Sequence, residues 1–323
     1  MILGIESTAH TFGIGIVSNG KILCNVKDSY TTEKGGIIPM ESARHHAACA
    51  DIVWNLALEK AKIKEGDISA IAISRSPGLA PCLLEGMKFA KKKAKELGVP
   101  IIPVNHCIAH LEIGRITGAS DPVLLYASGA NTQIIAYAAC KYRVFGETLD
   151  IGIGNFIDTF ARHIGIGFPG GPKIQELAKS GKYIELPYSI KGMDVSFSGL
   201  LTNLKQKYDK GEKIEDLSYS LQETAFAMLI ESAERAIAHT GKKELLLGGG
   251  VACNTRLQEM AKIMCEERGA KFFVPENSLL VDNGAMIAYL GELQIKEAIP
   301  PERFGEIDIN PRERTDDVVI RYR

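Results

Sequence analysis

An apolar run, Ile2-Leu3-Gly4-Ile5, opens the chain and stops at Glu6, where the small polar stretch Ser7-Thr8-Ala9-His10-Thr11 begins. Such a run reads as a buried strand. Phe12 to Ser18 and Lys21 to Lys27 then flank Asn19-Gly20, the strongest short-range signal for a hairpin. The pattern returns about 120 residues later, with Val123-Leu124-Leu125-Tyr126-Ala127 as strand and Ser128-Gly129-Ala130-Asn131-Thr132 as polar turn. Gln133 to Tyr137 and Tyr142 to Leu149 read as a second hairpin. The repeat predicts an internal duplication, each unit opening one half of the protein.

Between these units the period lengthens. Met40 to Ile63 carries Ala43, Ala47, Ala50, Trp54, Ala57, Leu58 and Ala61 at helical spacing. Ile68 to Ser74 reads as a strand closed by Pro77-Gly78-Leu79-Ala80-Pro81, Leu83 to Leu97 as a helix, and Ile101 to Val104 as a strand. In the second half, Leu217 to Thr240 reads as a long helix, Glu244 to Leu247 as a strand entering Gly248-Gly249-Gly250, and Asp282 to Ala298 as a last helix. Alternating strands and helices predict an α/β fold with a mainly parallel sheet in each half and a ligand site between the halves. The expected division is a lobe at 1–118 and a lobe at 119–289, with the segment from about 290 to 323 packing back on the first.

Composition narrows the classes. A chain of 323 residues suits two domains, and 46% hydrophobic residues describe an ordinary globular protein. The formal charge of -1 argues against bulk electrostatic binding of nucleic acid, so RNA contact requires a local patch or a partner. Lys88, Lys91, Lys92 and Lys95 form one stripe on their helix, read either as a solvated face or as an RNA phosphate track. Seven singly scattered cysteines without a CxxC pair indicate a reducing compartment. No apolar run approaches the roughly 18 residues of a membrane span, and no leader pattern precedes the first strand, so a soluble cytoplasmic protein is expected.

The most informative polar feature is the pair His106 and His110 in Asn105-His106-Cys107-Ile108-Ala109-His110. Four residues apart on a helix, two imidazoles share a face and can share a metal, given further ligands from elsewhere. A zinc peptidase would need a Glu after the first His as general base, and that position is Cys107. Asp282 reads on local grounds as a helix N-cap, or alternatively as a third metal ligand. Three small polar turns after strands suit phosphate: Glu6-Ser7-Thr8, Ser128 to Thr132, and Gly248 to Asn254. Asp158 is read either as reaching a ribose hydroxyl or as a helix cap, and Gly170-Gly171 either as bare backbone open to a sugar or base or as part of a proline-glycine loop. Neither the eight-residue Walker A pattern nor a Gly-x-Gly-x-x-Gly opening a helix is read in the chain, which disfavours the common NTPase and dinucleotide readings.

These residues resemble a family. Gly4-Ile-Glu-Ser-Thr-Ala-His-Thr11, Asn105-His-Cys-Ile-Ala-His110, Ser128-Gly-Ala-Asn-Thr-Gln133, Gly146-Glu-Thr-Leu-Asp-Ile-Gly-Ile-Gly-Asn155, Phe168-Pro-Gly-Gly-Pro172, Gly192-Met-Asp-Val-Ser-Phe-Ser-Gly199 and Asp282-Asn-Gly-Ala285 are similar, in order, to the universal tRNA threonylcarbamoyladenosine transferases. The likeness is to the archaeal and eukaryotic branch, whose members are the catalytic subunit of the KEOPS complex. The resemblance implies a duplicated actin/Hsp70-like (ASKHA) two-lobe fold with a central nucleotide and metal cleft. It implies transfer of threonylcarbamoyl from threonylcarbamoyl-AMP to N6 of adenosine 37 in ANN-decoding tRNAs. His106, His110 and Asp282 would hold one divalent metal, iron or zinc, with Tyr126 close to it. Tyr126, Ala127, Ser128, Gly129, Ala130 and Asn131, with Asp158, Gly171, Gln175 and Asn254, would line the site for threonylcarbamoyl-AMP and for ATP or AMP. The implied partners are tRNA and separate kinase-like, dimerising and regulatory KEOPS subunits.

The chain departs from the family pattern at Ser7 and Ala130, where Gly is usual, and at Gln175, where Glu is usual. Arg75-Ser76 stands for Gln-Gly, Leu84 for Arg, and Glu85 for an apolar residue. A Cβ at Ala130 crowds a phosphate if φ is positive there. The transferase reading leads; an ATP-binding scaffold or divergent inactive member is the alternative, and metallopeptidase is disfavoured. No general base is identified.

Overall fold

The structure, a computed structural model, describes residues 1–32 and 36–323. Strands β1 (Ile2–Glu6), β2 (Thr11–Ser18), β3 (Lys21–Ser29), β4 (Ala70–Ser76) and β5 (Ile101–Asn105) form one sheet in the order β3-β2-β1-β4-β5. A second sheet comprises β6 (Val123–Ala127), β7 (Thr132–Ala138), β8 (Lys141–Glu147), β11 (Glu244–Gly248) and β12 (Lys271–Phe273), in the order β12-β11-β6-β7-β8. A short ribbon, β9 (Ile190–Lys191) and β10 (Asp194–Val195), lies beside it. The two orders coincide when β1 is matched to β6 and β4 to β11, as the repeated sequence pattern predicts. Each sheet is mixed rather than mainly parallel: the first three strands of each half pair antiparallel, and the remaining two add in parallel. The hairpin turns impose this. Asn19 and Gly20 both take positive φ (51° and 72°), as do Ala139 and Cys140 (50° and 60°), which suits tight two-residue reversals.

Helices α1 (Pro39–Ala61) and α2 (Ala80–Leu97) cover one face of the first sheet, burying Phe12, Trp54 and Phe89 with Leu3, Ile5, Ile14 and Ile16. The strand period puts Gly13 and Gly15 on the other face. There α10 (Gly284–Leu293) lies directly on backbone: a Cβ added to Gly15 would fall 2.2 Å from Ala285 N, and one added to Gly284 would fall 2.2 Å from Gly15 N. Only bare backbone on both sides allows that approach. The boundary expected at residue 289 therefore lies inside a helix that packs on the first sheet. Helix α10 ends at Leu293, short of the expected Ala298, and a 3₁₀ turn at Ile295–Glu297 follows.

The second sheet is covered by α4 (Ile153–His163), α7 (Ile214–Thr240) and α8 (Thr255–Arg268), with α5 (Gly171–Ala178), α6 (Ser198–Asp209) and α9 (Asn277–Leu280) around them. Helix α3 (His106–Ile113) sits between the sheets and is buried at all eight residues. Its apolar side chains share a core with Ala72 and Val104 of the first sheet and with Leu124 and Leu246 of the second. After α10 the chain returns along the first lobe, where Phe304 and Ile307 join the α1–α2 core. It then crosses to β8, where Val319 bridges Lys141 and Ile320 N–H donates to Cys140 O at 3.1 Å. No helix among the described residues is long and apolar enough to cross a membrane.

Candidate active site between the lobes

Strand β5 delivers Asn105 as the N-cap of α3: its Oδ1 accepts from Cys107 N at 2.9 Å and Ile108 N at 3.1 Å. The cap fixes where α3 starts and hence where His106 and His110 project. Their ring centroids lie 4.6 Å apart. Asp282 comes from the link that crosses into α10, and its Oδ1 lies 3.4 Å from His106 Nε2 and 3.3 Å from His110 Nε2. The ligand-type atoms of the three residues all lie within 4.8 Å of one another. The local reading of Asp282 as N-cap is corrected: Asn283 caps α10, its side chain accepting from Met286 N at 2.9 Å. With the cap supplied next door, the Asp282 carboxylate is left to the imidazoles.

The electrostatics of the group follow from burial and from a fourth residue. His106 Nδ1 lies 2.9 Å from Glu6 Oε2, and Glu6 closes β1 with its side chain fully buried. Thr8 donates to the other Glu6 oxygen through its N–H at 2.7 Å and its hydroxyl at 2.5 Å. Burial works against charge on His106, but Glu6 and then Asp282 outweigh it and hold the imidazole well above its usual pKa. Burial likewise opposes the Asp282 carboxylate, and His106 and His110 outweigh it, holding that group well below the usual range. His110 is lowered, by burial first, and its Nδ1 is buried with no hydrogen-bond partner among the described residues. The Tyr126 ring centroid is 5.1 Å from that of His110, and burial keeps its phenol well above the usual pKa and therefore neutral.

The turn after β6 stands beside this group, with Asn131 Nδ2 3.9 Å from Cys107 Sγ. Ser128 N–H donates to Asn131 O at 2.9 Å, which closes the turn. Ser128 O and Gly129 O accept from Gly154 N and Asn155 N at the start of α4. That leaves the N–H groups of Gly129 and Ala130 without a protein acceptor among the described residues. Ala130 is not among the positive-φ residues, so the condition under which its Cβ would crowd a phosphate is not met. Ser7, the other departure from Gly, is housed by Gly86 of α2: a Cβ there would fall 1.8 Å from the Ser7 hydroxyl.

Other expected residues carry structural tasks as well. Asp158 accepts from Gly170 N at 2.7 Å, and burial raises its pKa. Asn254 caps α8 through Arg256 N at 2.9 Å and donates to Gln222 at 2.6 Å. Gln175 reaches Thr255 at 3.1 Å, beside that cap. Gly171 opens α5, and His10 of the first lobe meets Phe168 edge-on at 5.7 Å across the cleft. The lysine stripe lies apart, on α2, lining a groove of about 410 Å³ with Leu84, Met87 and Asp308. Lys91 there donates to Ile307 O at 2.6 Å, and Lys88 lies 3.9 Å from Glu85. The sequence reading missed Glu6 as partner of His106. Its signal was a carboxylate ending an all-apolar strand, where only a buried partner offsets the cost of burial.

The chain is similar to known proteins in sequence and in fold. Residues 21–289 match the family model described as "TsaD: tRNA N6-adenosine threonylcarbamoyltransferase". A Thermococcus sibiricus protein named tRNA N6-adenosine threonylcarbamoyltransferase is 56% identical over 99% of both chains. A Methanosarcina mazei protein named "Probable bifunctional tRNA threonylcarbamoyladenosine biosynthesis protein" is 53% identical, and the match spans 99% of this chain and 59% of that one. Among solved structures, Thermococcus kodakarensis HypF aligns over 91% of this chain and 47% of its own, with TM-score 0.63 at 15% identity. An ADPNP-bound activator of 2-hydroxyisocaproyl-CoA dehydratase from Clostridium difficile aligns over 92% of this chain and 97% of its own, with TM-score 0.56 at 11% identity. At those identities the likeness is one of fold, the duplicated actin-like two-lobe architecture. The chain thus belongs to the tRNA N6-adenosine threonylcarbamoyltransferase family, a family of transferase enzymes that act on tRNA.

Proposed function

We propose that this chain moves the threonylcarbamoyl group from threonylcarbamoyl-AMP to N6 of adenosine 37 in ANN-decoding tRNAs, using one divalent metal held by His106, His110 and Asp282. The observation that carries the reading is the convergence of these three side chains beside the turn after β6. The residues fit a metal in their chemistry. Two imidazoles and a carboxylate form a donor set suited to zinc or iron. Glu6 fixes His106 through Nδ1, which turns Nε2 inward, and a second-shell carboxylate on a ligating imidazole is the usual companion of such sites. His110 is kept neutral by burial, the form that offers a lone pair.

When bound, the metal supplies a Lewis acid for the carbonyl under attack. The rest falls to the chain. The free amides of Gly129 and Ala130 receive phosphate oxygens of the AMP leaving group, and Tyr126 to Asn131 line that side of the pocket. Asp158, Gly171, Gln175 and Asn254 line the ribose and base side, with Asp158 held by Gly170 N–H in a fixed orientation. Neutral Tyr126 walls the site beside His110. Holding adenylate and adenosine in one cleft converts a bimolecular acyl transfer into a positioned one. The peptidase reading keeps no support, since Cys107 occupies the position of the base and burial raises its thiol.

The same reading includes a cytoplasmic location, RNA contact along Lys88, Lys91, Lys92 and Lys95, and separate kinase-like, dimerising and regulatory subunits of a KEOPS-type complex. The test is single-turnover transfer of labelled threonylcarbamoyl from its adenylate to tRNA, with partner subunits supplied, comparing wild type with His110→Ala. Collapse of transfer in a variant that retains its circular dichroism and unfolding temperature is the expected result. Undiminished transfer would remove the metal group from the mechanism. Absence of transfer by a wild type that still binds metal and nucleotide would favour the scaffold reading.

A further inference from the structure

Arg75 and Ser76, at the end of β4, share one partner from the far end of the chain. Glu313 lies beyond residue 289, where the match to the family model ends. Its carboxylate accepts from Arg75 at 2.8 Å and from the Ser76 hydroxyl. The same Oε2 that accepts from the Ser76 hydroxyl also accepts from Asn105 Nδ2 at 3.0 Å. Asn105 is the cap of α3, and its amide has two ends with different tasks. Oδ1 takes the first free N–H groups of the helix, and Nδ2 needs an acceptor on the far side. Glu313 is the nearer acceptor, with the Ser76 hydroxyl oxygen a second at 3.4 Å, and with the two helix N–H groups on Oδ1 they keep the amide one way round. His106 follows Asn105 directly, and His110 is one turn on.

We infer that Glu313 is a positioning residue for the metal-site helix: with Arg75 and Ser76 it orients the Asn105 amide and so holds His106 and His110 in register with Asp282. The backbone secures Glu313 in turn. Asn310 N–H donates to Arg75 O at 2.9 Å and Gly78 N–H to Pro311 O at 3.2 Å, so the stretch just before Glu313 is tied to the end of β4. The Glu313 side chain is only 14% exposed. Burial favours its neutral form, but the Ser76, Asn105 and Arg75 contacts outweigh this and lower its pKa, consistent with a carboxylate held as acceptor. The same terminal segment also grips the other end of α3, where Glu112 accepts from Tyr322 at 3.1 Å.

The inference rests on the metal reading above, and its test separates the two. Full-length wild type, Glu313→Ala, Glu313→Gln, the pair Arg75→Gln with Ser76→Gly, and His110→Ala are titrated with Zn²⁺ and with Co²⁺ against a chromophoric chelator. The temperature is one at which each apo-protein is fully folded by circular dichroism. Glu313→Ala is expected to bind metal about tenfold more weakly, the scale of losing an outer-shell support. Glu313→Gln, which keeps an oxygen acceptor for Asn105, is expected to recover most of that loss, whereas a residue that merely stabilised the fold would lower the unfolding temperature and leave the dissociation constant alone. Should Glu313→Ala not fold, the Arg75/Ser76 pair carries the same expectation, since it removes two partners of Glu313 and, with Ser76, the second acceptor of Asn105 Nδ2, while the Asn105 side chain itself stays. Wild-type affinity in Glu313→Ala or in the pair, while His110→Ala loses metal, overturns the positioning role and leaves the metal site standing. Wild-type affinity in His110→Ala overturns the metal site and the inference with it.

Discussion

At the residue scale, Glu6 shows where reading the sequence stops. The His106–His110 pair was legible because both partners lie within one helical turn. Glu6 sits 100 positions from His106, and nothing local distinguishes a carboxylate that buttresses an imidazole from one that starts a polar turn. Its buried place at the end of β1 is a cost that only the imidazole and the Thr8 donors offset. Removing it should therefore be felt at the metal. Glu6→Ala is expected to lower metal affinity by roughly 10- to 100-fold, read as metal per protein by mass spectrometry after dialysis against graded chelator. Retention of the wild-type metal content would detach Glu6 from the site. Ser7 teaches a related point: the hydroxyl is accommodated by Gly86 of α2, a pairing that no spacing rule anticipates.

At the scale of elements, helices were legible wherever apolar period and breakers agreed. The expected Leu83 to Leu97 became α2 at Ala80–Leu97, and Leu217 to Thr240 became α7 at Ile214–Thr240. The start of α10 was not, because Asp282 and Asn283 are both good caps and sequence does not choose between neighbours. Packing chooses: bare Gly13 and Gly15 draw the helix onto β2, with Gly284 as its first residue and Asn283 as its cap. Asn283→Ala is expected to cost about 1 kcal/mol of stability by urea unfolding, since Met286 N–H loses its acceptor. Asp282→Ala removes no cap, but it takes a buried carboxylate from His106 and His110, so it should lose stability through those charges and abolish metal binding while leaving the first turn of α10 intact. A first turn frayed in Asp282→Ala rather than in Asn283→Ala, read by amide hydrogen exchange at Met286, would return the cap to Asp282.

For the molecule as a whole, the duplication and both hairpins were visible in the repeated strand, turn and hairpin, but the antiparallel pairing of β1 with β2 and of β6 with β7 was not. The alternation rule sees helices between strands and predicts parallel pairing, whereas two tight turns reverse the chain before any helix intervenes. Stability in acid is a property at this scale. His46 is fully buried between Phe12 and His45, and neither ring nitrogen has a partner among the described residues. Burial first, and His45 second, lower its pKa from 6.5 to about 4. Between those values the unfolded chain binds a proton that the folded chain refuses, so stability falls as pH drops through 6.5 and levels off below about 4. The loss amounts to roughly 3 kcal/mol, and urea midpoints of wild type and His46→Leu between pH 7 and 4 should diverge in slope. Parallel curves would mean His46 is not the group responsible.

The placement of α10 also bears on how the chain is made. β1 and β2 leave the ribosome well before α10, the helix that seals the glycine face of those strands and is encoded some 270 residues later. Until it emerges, the first sheet has one covered side, and Asp282 has not yet reached the two histidines. Folding of the first lobe thus waits for α10, and a nascent chain stalled before residue 282 leaves the second face of its first sheet uncovered.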